Sequence, residues 1–521
     1  MNVTATIKLY DYRIIHKMIE KDLPKNKSQL SSNRTLLRSI IYNFLGHGAP
    51  IVVALYTVPL LIKHLGTDRF GVLNLSWMII GYFSLFDFGL GRAMTKLVAE
   101  KLAAGHTDEI PGLFWTSIYL MCLLGGVGTG LLFFMAPWLV KDVLNIPGIL
   151  QVETLQSLYV LAFSIPVVII TAGLKGFLEA YQRFGLVNIV RVPMGILMYL
   201  GPLLVLPFSQ SLFPIVIVLA GARVIALIVQ SYLCLIVAPE LSTFQQVTRK
   251  SLKPLISFGG WMTVTNIIGP LMVYLDRFMI GALVSITAVA HYCTPYEIVT
   301  KLWFIPGALV GVLFPAFTMS FTKDPTHTIF LFWRSVKYMF LILFPFILII
   351  TFFAHEGLDI WLGPEFSQNS TMVLQLLAVG VFINCIANIP YTLIQSVGRP
   401  DITAKLHLIE LPFYLAGTWY FVKIYGINGA AIIWLARVAI DALLLFAYAY
   451  NFLALGLSSI IRLLLAFCGV LVIVFVASFH FSILTKTIII ALELGGLSLA
   501  TWFYFLTIEE KSFVKGIGRA N

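Results

Sequence analysis

Stretches of about 20 apolar residues recur along nearly the whole chain, each long enough to cross a bilayer as a helix. A polypeptide built this way cannot hide its apolar surface in one water-soluble core, because only lipid offers enough area. On this length scale about fourteen spans are predicted, at 38–62, 71–88, 113–137, 156–178, 185–206, 212–237, 255–282, 287–318, 330–353, 372–396, 403–424, 428–451, 459–479 and 485–507. Of the 521 residues, 59% are hydrophobic and 11% are charged, against about a quarter charged in an ordinary soluble domain. The fold class is an all-α membrane protein with about 14 transmembrane helices.

The net charge of +11 could signal nucleic acid in a soluble protein. Here no basic patch with interleaved aromatics lies outside the spans, and nucleic acid is excluded as a partner. Basic residues collect instead in alternate connections, as in cytoplasmic loops of membrane proteins. With the N-terminus inside, these connections carry Arg92, Lys96 and Lys101; Lys175, Arg183 and Arg191; Arg249, Lys250 and Lys253; Lys323, Arg334 and Lys337; Arg399 and Lys405; and Arg462. The opposite connections are poor in Lys and Arg, apart from Lys63 and Arg69. Both termini are therefore predicted to be cytoplasmic. Residues 1–35 form a basic tail without the pattern of a cleavable signal peptide. The stretch 7–20 is compatible with an amphipathic surface helix or with disorder.

Two halves are visible. The segments 48–61 and 259–272 share an initial Gly and a Pro followed by two apolar residues, at an offset of about 211 positions. The tripeptides Asp68-Arg69-Phe70 and Asp276-Arg277-Phe278 follow them. Both segments run in one direction, the pattern of parallel repeats. The predicted organisation is a tail (1–35), a six-helix bundle (36–240), a cytoplasmic linker (241–254), a second six-helix bundle (255–455), two further spans (456–508) and a cytoplasmic tail (509–521). No loop is long enough for an extramembrane domain.

Several features read as structural. Cys122, Cys234, Cys293, Cys385 and Cys468 lie singly in apolar runs, as small buried hydrophobes rather than metal ligands or a disulfide framework. The glycines of 125–130 sit within a span and serve close helix packing. Asp87-Phe88-Gly89 lacks every other kinase element. Glu356, Asp359 and Glu365 in an outer loop read as solvated charges. No hydrolase, metalloprotease or phosphate-loop motif is present, so no enzyme and no cofactor are expected.

The stretch 81–105 explains its own change of pattern. Asp87 falls where the second span leaves hydrocarbon. Beyond Gly89 and Gly91, Met94, Val98 and Leu102 share one helix face while Arg92, Lys96 and Glu100 lie opposite. This predicts a segment lying in the headgroup layer. The sequence FSLFDFGLGRAMTKLVAE, after FGVLNLSWMIIGY, resembles the lipid-linked oligosaccharide (O-antigen and polysaccharide) flippases. These belong to the multidrug/oligosaccharidyl-lipid/polysaccharide exporter superfamily. A second matching stretch is YLDRFMIGALVSITAVAHYCTPYEIVTKLWFIPGALVGVLFPAF, residues 274–317. The resemblance is sharp in these two stretches and elsewhere lies in helix number and order. It implies two pseudo-symmetric, MATE-like six-helix bundles forming a V, a cationic central cavity and alternating access.

Charges within spans carry the functional reading. Each costs about 2.5–3.5 kcal/mol at a helix centre, so it needs a partner or a task. Lys175 with Glu179, Glu297 with Lys301, and Arg437 with Asp441 are predicted i,i+4 pairs. Glu410 and His407 are a further pair at i,i+3. Arg223 has no acid within one helical turn. Asp276 and Arg277 point to different faces, and Glu297 and Lys301 lie at depths that make a charged ladder between consecutive helices. A diphosphate crossing hydrocarbon needs such cations.

The substrate-binding candidates are accordingly Arg223, Arg277, Lys301 and Arg437, with Arg191 and Arg92 at the inner mouth. Asp276, Glu297 and Asp87 are candidates for coupling or gating. The expected function is a bacterial inner-membrane flippase for an undecaprenyl-diphosphate-linked oligosaccharide. Its expected partners are that lipid-linked oligosaccharide, membrane lipid, a glycan polymerase or glycosyltransferase complex, and a proton or sodium counter-ion. A cation-coupled multidrug exporter, a glycan polymerase or ligase, and a scaffold for glycan assembly remain alternatives.

Overall fold

The computed structural model describes residues 33–83, 89–181, 183–245, 252, 255, 272, 274–453, 481–506 and 511. Among the described residues there is no strand. The helices are α1 (Asn33–Phe83), α2 (Leu90–Ala104), α3 (Ile110–Trp138), α4 (Gly148–Ala180), α5 (Phe184–Val205) and α6 (Leu212–Val237). They continue with α7 (274–283), α8 (Ile286–Thr300), α9 (Phe304–Lys323), α10 (Pro325–Phe352), α11 (Ala354–Leu362), α12 (Pro364–Ser396), α13 (Pro400–Leu453) and α14 (Ile483–Ala500). Eight helices among the described residues are long and apolar enough to cross a membrane. The chain is a multi-pass membrane protein. The predicted span 459–479 and most of 255–282 lie outside the described residues.

Two long helices are folded back by glycines. α1 bends at Gly66 (φ 77°, ψ 163°) and α13 at Gly426 (φ 57°, ψ −137°). The Gly426 conformation is open to glycine and costs other residues about 1–3 kcal/mol. Gly426→Ala is expected to lower the melting temperature of the detergent-solubilised protein, and an unchanged melt would show that the hairpin tolerates a Cβ there. The predicted span 287–318 is broken: a 3-10 turn at Lys301–Trp303 separates α8 from α9. Pro306 has no N–H to close the preceding helical turn, so the backbone tightens there.

Helices α1 to α6 pack mainly on one another around α4, and α8 to α13 mainly on one another around α12. α3 docks on α4 through Gly125, where an added Cβ would stand 2.6 Å from the Cα of Pro166. Thr129 also donates to the Ala162 carbonyl at 2.8 Å. The glycine run thus serves helix packing as predicted. α2 packs against the bundle. Its apolar face is covered by protein: Met94 and Val98 are fully buried, and Thr95 donates to the Gly176 carbonyl of α4 at 3.0 Å. Its charged face, with Arg92, Lys96 and Glu100, is exposed.

The turns alternate between two ends. At the Gly66 end, Arg69 Nε meets Glu153 Oε1 at 2.8 Å, and Ser211 Oγ donates to Glu153 Oε2 at 2.7 Å. Arg69, which broke the basic-residue pattern, is thereby neutralised. Hydrogen bonds joining the two groups of helices gather at this end. Thr67 donates to Glu365 Oε1 at 3.1 Å, and Thr287 donates to Asp68. Asn145 places its backbone N–H on the Gly281 carbonyl (3.0 Å) and its side chain on that of Ala282 (2.9 Å). Trp361 Nε1 donates to the Leu55 carbonyl at 2.6 Å. Of the expected loop charges, Glu356 is instead paired with Lys486 at 2.7 Å, tying α14 to α11. The two Asp-Arg-Phe tripeptides are not equivalent in place: residues 68–70 follow the bend at Gly66, and 276–278 precede the turn at Val284.

Candidate functional site

The charged ladder forms where α7 meets α8. Tyr292, Tyr296 and the segment leading to Lys301 repeat at i,i+4 and so line one face of α8. That face lies against Asp276 and Arg277. Asp276 is fully buried; it accepts the Tyr292 hydroxyl at 2.7 Å and the backbone N–H of Arg277 at 2.7 Å. Arg277 is 4% exposed. Its guanidinium lies over the rings of Tyr296 (4.5 Å) and Tyr274 (5.3 Å), and it faces Glu297 Oε1 at 3.9 Å. Arg277 Nε is buried without a hydrogen-bond partner. Glu297 continues to Lys301 Nζ at 3.2 Å. Lys301 is also close enough to Tyr199 on α5, in the other group of helices, to act on it electrostatically.

Exposure differs along the ladder. The side chains of Glu297 and Lys301 are 41% and 36% exposed, whereas Arg277 is enclosed. A buried cation held over aromatic faces keeps its charge with little mobility. The exposed rungs are the ones that can meet a ligand. The 3-10 turn begins at Lys301 itself, and there the side chain leaves the strict helical register.

Below the ladder, Arg437 on the second limb of α13 lies 5.5 Å from the Tyr414 ring centroid. Its predicted pairing with Asp441 is not observed. Arg437 Nη1 instead faces Glu410 Oε2 at 3.8 Å, and Asp441 faces His407 at 3.9 Å. The hairpin bend at Gly426 brings Glu410 opposite Arg437, and helix rotation turns Arg437 towards the other limb rather than along its own. The predicted pairs Lys175–Glu179 (3.5 Å) and Glu297–Lys301 form as expected.

The remaining candidates stand apart from the ladder. Arg223 is half-buried on α6, in the seam that also holds Leu219, Ala226 and Gln230. Among the described residues no carboxylate lies within ion-pair distance of it. Arg191 on α5 and Arg92 on α2 are exposed. Arg92 is close enough to Tyr391 on α12 to act on it electrostatically. Asp87 lies outside the described residues, as do the side chains of Asn43, His47 and Asn266. Asn388 spends its amide on the Asn384 carbonyl of its own helix, at 2.9 Å.

Sequence reasoning missed the aromatic surroundings of the cations and the meeting of His407, Glu410 and Asp441. The i,i+4 spacing of Tyr292 and Tyr296 was a usable signal for the first. Nothing in the sequence marks Tyr199 or Tyr414.

Helices packed in two groups, each around a central helix, with charges held among them, give a fold of the MATE-like class. The fold is similar to an inward-facing multidrug resistance MATE family transporter of the MOP superfamily, with a TM-score of 0.67 and 13% identity over 80% of this chain and 99% of that one. An outward-facing MATE transporter is similar with a TM-score of 0.57 and 14% identity, over 81% and 95%. Residues 36–321 match the family described as polysaccharide biosynthesis protein, and the chain belongs to that family. It is 34% identical to a putative O-antigen transporter of Shigella flexneri over 79% of this chain and 97% of that protein. It is 24% identical to the lipopolysaccharide biosynthesis protein WzxC of Escherichia coli over 69% and 70%. These two relatives are named for O-antigen transport and for lipopolysaccharide biosynthesis.

Proposed function

We propose that the protein flips an undecaprenyl-diphosphate-linked oligosaccharide from the cytoplasmic to the outer leaflet of a bacterial inner membrane. The observation that carries this reading is the Arg277–Glu297–Lys301 ladder. A guanidinium is fixed by burial, and a partly exposed ammonium stands at a break in the helix. Lys301 meets the diphosphate, which is costly to desolvate unpaired, and Arg277, Arg437 and Arg223 offset its charge at longer range. Arg92 and Arg191 attract the headgroup at the cytoplasmic mouth. Asp276, Glu297 and Asp87 serve coupling or gating, with a proton or sodium ion moving in exchange. The polyprenyl tail stays in lipid.

The two six-helix bundles rock so that the Gly66 end, which faces outward, opens and closes, while both termini are cytoplasmic. Hydrogen bonds gathered at that end support a state closed to the outside and open to the inside. Transfer to the outer leaflet requires those bonds to break.

Lys301→Gln tests the reading with little risk to folding, because the side chain is 36% exposed. In a strain lacking the native gene, this variant is expected to accumulate normally, to abolish surface polysaccharide and to hold lipid-linked oligosaccharide in the inner leaflet. Full surface polysaccharide would remove Lys301 from the site. A deletion strain with normal glycan and new drug sensitivity would instead select multidrug export.

A further inference from the structure

We propose that His407, Glu410 and Asp441 form a binding site for a divalent metal ion of the zinc or manganese class. The site does not depend on the substrate assigned above. His407 and Glu410 are one helical turn apart on the first limb of α13, and Asp441 is on the second limb. Glu410 precedes the Gly426 bend by about as many residues as Asp441 follows it, so an antiparallel hairpin sets them opposite each other. One ligand atom from each of the three residues lies within 4.8 Å of the other two.

Two further observations indicate an absent cation. Glu410 is 9% exposed and Asp441 5%; no donor reaches either carboxylate oxygen of Glu410 or Oδ1 of Asp441, and the two carboxyl groups lie against each other. The nearest positive groups do not satisfy them. His407 Nε2 stands 3.9 Å from Asp441 Oδ1, and Arg437 Nη1 stands 3.8 Å from Glu410 Oε2. Both distances are too long for hydrogen bonds. The backbone cannot supply donors, because its N–H groups inside a helix are committed to the helix.

The donor set selects the ion class. An imidazole suits zinc and other transition metals, while carboxylates also suit manganese. Zinc takes nitrogen and oxygen ligands at roughly 2.0–2.2 Å, so the three donors close on the ion by small side-chain rotations. The His407 ring is stacked on Tyr391, with centroids 6.3 Å apart and planes at 15°, which limits its orientation. Its side chain is 23% exposed and gives the ion a way in. Arg437 is the one unfavourable charge. Its Nε has no hydrogen-bond partner and its Nη1 holds only a long contact to Met272 Sδ at 3.7 Å, so it can turn from Glu410 towards the Tyr414 ring when the ion enters.

The test uses the full chain, purified in detergent, freed of any affinity tag and treated with chelator. Titration with Zn²⁺ and with Mn²⁺ is expected to show one specific ion per chain. His407→Ala and Glu410→Gln are expected to weaken it by at least roughly 10- to 100-fold, the loss that changes even behind the ligands of a metal site bring. X-ray absorption on the unaltered zinc-loaded protein is expected to show one imidazole with oxygen ligands, a result that requires no variant to fold. Equal affinity in the unaltered chain and both variants, or a zinc shell without imidazole, would overturn the proposal. So would a melting temperature that responds to sodium or acid but to neither divalent ion, which would mean that the carboxylates share a proton or a monovalent ion.

Discussion

Arg277→Met is expected to remove both transport and much of the folded protein. The methionine fills the aliphatic volume but leaves Glu297 facing only Lys301, and Asp276 only the Tyr292 hydroxyl and a backbone N–H. Removing one partner of a buried charge group costs about 3–5 kcal/mol, and the lost stacking on Tyr296 and Tyr274 adds about 0.5–2 kcal/mol. Size-exclusion profiles of the tagged protein should show a reduced monodisperse fraction, together with absent surface polysaccharide. Arg277→Lys should be intermediate, because an ammonium keeps the charge but not the planar contact with two rings. Wild-type glycan in the methionine variant would mean that the ladder is ornamental to transport.

Gly71→Val is expected to separate the two groups of helices at the Gly66 end. A Cβ at Gly71 would stand 2.1 Å from the Ile286 carbonyl oxygen and 2.9 Å from its carbon. These are backbone atoms at the start of α8, so no side-chain rotation relieves the clash. Overpacking of this kind typically costs about 1–3 kcal/mol. It acts beside the Thr67–Glu365 and Thr287–Asp68 hydrogen bonds, which hold only while α1 stays against α12 and α8. Spin labels at Lys63 and Asn369, both exposed, should report a longer and broader distance distribution than in the unaltered chain. An unchanged distribution would show that the joint absorbs the extra methyl groups without opening.

The ladder was partly legible in the residues. Glu297 and Lys301 are one turn apart, so their pairing follows from helical geometry, and the order of the spans puts Arg277 near them. The enclosure of Arg277 by Tyr274 and Tyr296 was not legible, because it depends on which faces of α7 and α8 turn towards each other. The same limit explains Arg437. An i,i+4 spacing makes Asp441 available to it, yet the adjoining limb offers Glu410, and packing chooses between them. For α2 the residues left the neighbour of the apolar face open for a related reason. Amphipathicity predicts that an apolar face will be covered, without saying whether lipid or protein covers it, and here α4 does.

What the residues alone specify is local: apolar length, charge alternation between turns, and pairs within one helical turn. Membrane insertion depends on just these quantities, so the class of the protein and the eight membrane-crossing helices among the described residues could be read directly. Contacts between residues far apart in sequence belong to the tertiary structure. It decided that Arg69 meets Glu153, that Asn145 caps the end of α7, and that His407, Glu410 and Asp441 converge across the Gly426 bend. The reason is rotational. A helix shows every neighbour one of several faces, and only the packing of all of them together selects which side chains meet.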